Sequence, residues 1–92
     1  MDYSIFEDTM IQYLLETLRQ KKGKTYDDIA GQVYGTENIQ QSRLKLYHLR
    51  KPMKNGSRKT LSLKDFIAIC QALDENPVEM LGHVLGMVKR ES

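Results

Sequence analysis

What this chain has little of narrows it first. It holds one cysteine, so no intrachain disulfide can form and nothing in the cysteine count points to secretion. That cysteine and two distant histidines do not make the roughly four paired ligands of a structural zinc site, and no metal or other cofactor is expected. No apolar run approaches the about 18 residues of a membrane span. The start, Met-Asp-Tyr-Ser-Ile-Phe-Glu-Asp, lacks the basic and apolar stretches of a signal peptide. A cytoplasmic protein without a membrane partner is the expectation. The 92 residues, 40% of them hydrophobic, allow a single domain over 1–92 with a modest core. A chain of that size buries only about 60–65% of the surface it exposes when unfolded.

The most telling absence is of acid. Between Asn38 and Thr60 there is no Asp or Glu, while Arg43, Lys45, Arg50, Lys51, Lys54, Arg58 and Lys59 supply seven positive charges. The flanks are net acidic: 1–37 has four Lys/Arg against seven Asp/Glu, and 61–92 has three against five. The formal net charge of +2 conceals this sorting, whereas a chain needing only solubility would intersperse its signs. A concentrated positive stretch attracts a polyanion, of which nucleic acid is the commonest. The plain alternative is a solvated basic loop.

Helical patterning fills the rest of the chain. Ser4 and Glu7 have capping-box spacing, and Ile11, Leu14, Leu15 and Leu18 recur on one stripe of a helix of four to five turns. Arg19, Lys21 and Lys22 suit the C-terminal end of its dipole, and Gly23 can supply a left-handed cap. A short second helix opens at Thr25 with Asp28 three residues on, turns Ile29, Ala30 and Val33 inward, and ends at Gly35. Gly31 inside it is unfavourable for a helix and marks a close approach by another helix. A third helix lies between Thr36 and Lys51, cut off by Pro52, with Ile39, Ser42, Leu46 and Leu49 as its buried face. Residues 51–60 read as a basic loop, with a small two-stranded wing as the alternative because Asn55-Gly56 is a hairpin-turn signal. A fourth helix follows Ser62, its inner face assigned to Leu63, Phe66, Ile67, Cys70 and Leu73; Cys70 there is a buried small hydrophobe. Asp74 and Glu75 form a turn. Asn76, Pro77 and Glu79 then open a fifth helix, with Val78, Leu81, Val84, Leu85 and Val88 as its stripe. The domain is therefore expected to be all-α, with five helices.

Two short helices joined by a tight Gly-containing turn, the second followed by basic residues, are what a helix-turn-helix needs. Its first helix aims its N-terminal dipole at the phosphate backbone, and its second presents an outer face to base edges. On the third helix here, Gln40 and Gln41 can bond adenine, Arg43 and Lys45 can read guanine, and Leu44 can touch a thymine methyl. Tyr47 and His48 share that outer face. Thr25, Tyr26, Arg50, Lys51, Lys54, Arg58 and Lys59 suit phosphates, which position a protein without specifying sequence. Gln40 and Gln41 are equally explained as good surface helix formers.

These residues resemble a family. Leu15-Glu-Thr-Leu18-Arg-Gln-Lys-Lys-Gly23-Lys-Thr25-Tyr-Asp-Asp-Ile29-Ala30, then Leu46-Tyr-His-Leu49, and most clearly Phe66-Ile-Ala-Ile69-Cys-Gln-Ala-Leu73-Asp-Glu-Asn-Pro-Val-Glu-Met-Leu81 are similar to the Cro/repressor-type (Xre-like) helix-turn-helix proteins. The resemblance covers roughly residues 11–85. It implies a compact, five-helix, lambda-repressor-like DNA-binding domain and a bacterial or phage transcriptional regulator. The chain departs from the family in four places. Tyr26 stands where Gln is usual, the segment from Gly35 to Leu46 is longer, Arg50 replaces a frequent Glu, and the loop beyond it is longer and more basic. Matching Leu46 and Leu49 to the family's buried pair turns Arg43, Leu44, Lys45, Tyr47 and His48 toward DNA. Anchoring on Gln40, Gln41 and Ser42 instead would bury Arg43, which is costly without a partner.

Double-stranded DNA is the expected partner. A homodimer through the last helix is a second expectation; Val84, Leu85, Met87 and Val88 either form that surface or complete the monomer core. Gly82 and Gly86 have the spacing that permits close helix packing, a signal with force mainly in membranes. No enzyme is expected. His48 and His83 are far apart, and only a small ribonuclease using His48 with Tyr47 and Arg50 offers a catalytic reading. The alternative function is a helical interaction module, such as an antitoxin or mobile-element inhibitor, whose basic face meets an acidic protein.

Overall fold

The chain reversals among the described residues are built from local caps. The computed structural model describes residues 3–50 and 60–91, and among them there are five helices and no strand. The first helix, α1, is α-helical over Tyr3–Gln12, π-helical over Tyr13–Leu18 and α-helical again over Arg19–Lys21. It ends in two interlocking bonds, Gly23 N–H to Gln20 O (3.0 Å) and Lys24 N–H to Arg19 O (3.1 Å), with Gly23 at φ 68°. This is the left-handed glycine cap its sequence calls for. Helix α2 (Tyr26–Tyr34) begins with a complete capping box: Thr25 Oγ1 accepts from Asp28 N–H, and Asp28 Oδ2 accepts from Thr25 N–H. It stops at Gly35, whose φ of 107° only glycine adopts easily.

Helix α3 (Ile39–Arg50) follows a four-residue turn, with Asn38 Oδ1 accepting from Gln41 N–H. Ser42, its one buried polar residue, donates to Gly35 O at 2.7 Å and so ties α3 back to that turn. A methyl group added at Gly31 would lie 3.1 Å from Thr36 Cγ2 and 3.6 Å from Ile39 Cδ1, so the glycine does permit the next helix to come close. Helix α4 (Leu63–Ala72) is capped by Ser62 Oγ, and α5 (Pro77–Glu91) by Asn76 Oδ1, which accepts from Val78 and Glu79 N–H.

α2 packs most extensively on α3 and next on α4, while α1 lies against α5. The core they enclose takes Met10, Ile11, Leu14, Leu15 and Leu18 from α1, Ile29 and Ala30 from α2, and Leu46 and Leu49 from α3. Phe66, Ile69, Cys70, Ala72, Leu73, Met80, Val84 and Val88 complete it. Burial pushes the Cys70 thiol up to about 11, with Glu75 adding to the effect, as befits a packing group. The radius of gyration, 13.0 Å, is close to the about 12 Å expected of a compact domain of this length.

Three expectations are corrected. Ser4 lies within α1 rather than before it, and Glu7 Oε2 accepts from Leu61 N–H (3.4 Å) instead of closing a capping box. On α4, Leu63 and Ile67 are exposed and Ile69 is buried; on α5, Val78 is exposed and Met80 is buried. Gly82 has nothing within 4 Å of an added methyl, and Gly86 only its own helix's Arg90, so neither marks a close helix approach. The basic loop over 51–59, with its two-stranded alternative, lies outside the described residues.

Candidate nucleic-acid interface

α3 has two unlike sides because its apolar residues follow the helical period over only part of its circumference. Ser42, Leu46 and Leu49 face inward, the two leucines fully buried. Gln40, Gln41, Arg43, Leu44, Lys45 and Tyr47 are exposed, and His48 is half-buried. This is the register in which Leu46 and Leu49 form the buried pair, and it leaves Arg43 outside the core. Gln40, Leu44 and Tyr47 fall along one outward row, at the spacing of side chains that neighbour one another on a helix. Leu44 is 52% and Tyr47 46% exposed. Lys45 and Arg43 flank this row on opposite sides. Lys45 Nζ stands 5.7 Å from the centre of the Tyr34 ring. The His48 ring meets Tyr47 edge-on at 5.7 Å, and its Nδ1 is buried without a partner among the described residues.

Two of the cations behave differently from the rest of the face. Arg43 donates two bonds to Asp27 on α2, Nε to Oδ1 at 2.7 Å and Nη2 to Oδ2 at 2.9 Å. Those hydrogen bonds hold the Asp27 carboxyl below its ordinary range and raise the guanidinium. Arg50 turns inward. Its Nη1 donates to Tyr26 Oη (2.8 Å) and to Glu16 Oε1 (2.7 Å), and Tyr26 Oη itself donates to Glu16 Oε1 at 2.7 Å. Burial, then the bond to Glu16, pushes the Tyr26 phenol up to about 12. Arg19 covers the same ring, with Cζ 4.6 Å from its centre. One cluster thus joins α1, α2 and α3, and it holds the polar ends of two residues expected at phosphates, Tyr26 and Arg50. Thr25 is exposed at the start of α2, its hydroxyl oxygen engaged in the capping box. Lys51, Lys54, Arg58 and Lys59 lie outside the described residues.

Sequence reasoning missed Glu16 and Asp27. The only trace of them was the acidic balance of residues 1–37, which gives no partner. Charge that is sorted along the chain is partly re-paired in space, because α1 and α2 bring carboxylates to two of the cations of α3. The same re-pairing occurs elsewhere: Lys22 meets Glu75 at 2.8 Å and Lys24 meets Asp74 at 3.7 Å, both across the α1–α4 ends.

Among the described residues, no group of three or more His, Cys, Asp or Glu is arranged to hold a metal ion, and no helix is long and apolar enough to cross a membrane. On α5, Val84 and Val88 are core residues, while Leu85 and Met87 are half-buried. No protein-family model matches the chain, and neither a curated protein nor a solved structure matches it.

Proposed function

We propose that this protein binds double-stranded DNA in a sequence-dependent way, as a lambda-repressor-like, Xre-type helix-turn-helix regulator with α2 and α3 as the motif. One observation carries the reading: α3 has no carboxylate of its own and leaves Gln40, Leu44, Lys45 and Tyr47 exposed on a helix firmly packed by its other side. Exposed Leu and Tyr set between an amide and a cation are poorly suited to bulk water. They suit a major groove, where thymine methyls, adenine edges and guanine acceptors alternate. The basic residues that follow α3 in sequence are suited to the flanking phosphates.

Selection of bound duplexes from a random pool tests this, followed by the same selection with Lys45→Ala and Gln40→Ala. The reading expects a consensus from the unaltered protein and a changed preference at one or two positions in each variant, with losses on the order of tenfold per lost base contact. Recovery of no consensus, or the same consensus from every variant, would contradict it.

The alternative, a module that docks on a protein, draws support from the pairing of Arg43 and Arg50, which lowers the positive field, and from the same exposed Leu44 and Tyr47. A stoichiometric host protein that competes with duplex DNA for this face would favour it.

A further inference from the structure

Asp27 poses a problem for a face that meets a polyanion. It sits in the first turn of α2, where a helix-turn-helix approaches phosphate, and a carboxylate there repels. Capping does not explain it, because Asp28 and Thr25 already close the capping box without it. The Asp27 carboxylate instead reaches across to α3 and takes both donors of the Arg43 fork, at 2.7 and 2.9 Å. Both side chains remain about half exposed, at 49% and 46%, so the pair is open to exchange and is no structural lock.

We propose that Asp27 is a specificity-determining residue: it withholds Arg43 from the phosphate backbone and yields it only to an acceptor seated against the α3 outward row. This rests on the DNA-binding reading above. The physical reason is competition for one planar fork. An arginine free to swing collects any phosphate within reach, which raises affinity for all sequences alike. While paired with Asp27 the guanidinium has one position, and the donors it has left, on Nη1 and Nη2, face away from that carboxylate along one edge. A guanine edge brought there by correct docking offers two acceptors in the geometry the fork already has. A phosphate out of reach of that fixed edge is contacted only after both bonds to Asp27 break. Asp27 thus suppresses non-specific binding more than specific binding.

The test measures binding of the intact protein to a random-sequence duplex and to its selected duplex across a salt series. The variants are Asp27→Asn, Arg43→Gln and the double variant, with circular dichroism confirming that each is folded. Asp27→Asn is expected to bind the random duplex several-fold more tightly, with a log–log salt slope steeper by about 0.9. Its affinity for the selected duplex should change less, so the ratio of the two falls. In the Arg43→Gln background the same substitution should give a smaller gain, since only general charge repulsion is left to relieve. An equal gain in both backgrounds would overturn the proposal and reduce Asp27 to a repelling charge. A wild type that binds DNA beside an Asp27→Asn variant indistinguishable from it would overturn the proposal alone. Failure of wild type and variant alike to bind any duplex at low salt would overturn the DNA-binding reading and the proposal with it.

Discussion

Tyr26 ties α2 to both α1 and α3, because its hydroxyl is both donor to Glu16 and acceptor from Arg50. Tyr26→Phe keeps the ring under Arg19 and removes only that link. It should lower stability by about 1.5 kcal/mol, the low end for hydrogen bonds to charged groups because the site is partly exposed, as read by urea denaturation. The same group sets an alkaline limit. Its folded pKa, about 12, lies above the ordinary 10.0. The stability it confers is therefore whole below about pH 10 and is lost as pH rises toward 12. Stability of the wild type should fall across that window, with part of the fall missing in Tyr26→Phe. None of this was legible from residue order: Tyr26 and Arg50 read as phosphate contacts because exposure and charge were all the sequence offered. The carboxylate that captures them is Glu16, on another helix.

At the scale of elements, the local signals were the readable ones. Thr25 with Asp28, Ser62, Asn76 and Gly23 each act within one turn of their own position, so sequence spacing determines the cap geometry directly. Thr25→Ala should therefore destabilise the domain by about 1 kcal/mol, and thermal melting would detect it. Inner faces were readable on α1, where Ile11, Leu14, Leu15 and Leu18 are all buried, and on α3 apart from the half-buried Ile39. On α4 and α5, which carry apolar residues on more than one side, Phe66, Cys70, Leu73, Val84 and Val88 were placed correctly and Leu63, Ile67 and Val78 were not. There Leu63 and Val78 occupy the first turns and are exposed, while Ile69 and Met80 are buried in the core. Periodicity alone cannot choose between two apolar faces; the packing partner does. For the candidate interface, the burial of Leu46 and Leu49 was legible. The diversion of Arg43 to Asp27 was not.

For the molecule as a whole, the fold is a scaffold that presents one face of α3, and on the proposed DNA-binding reading stability and recognition separate on that helix. Leu49 is fully buried, and Leu49→Ala should cost about 2–5 kcal/mol through the cavity it leaves, a large share of the marginal stability of so small a domain. Lys45→Ala, at an exposed position bordering the buried face, should leave the denaturation midpoint nearly unchanged and act only on binding. The proposed function rests on the binding of duplex DNA by this face together with the basic segment after it. Its most direct test is the affinity of the intact protein for duplex DNA measured against salt concentration. The expected result is a steep negative slope of log affinity against log salt, roughly −0.9 for each phosphate neutralised. A flat slope, or no binding at low salt, would contradict it.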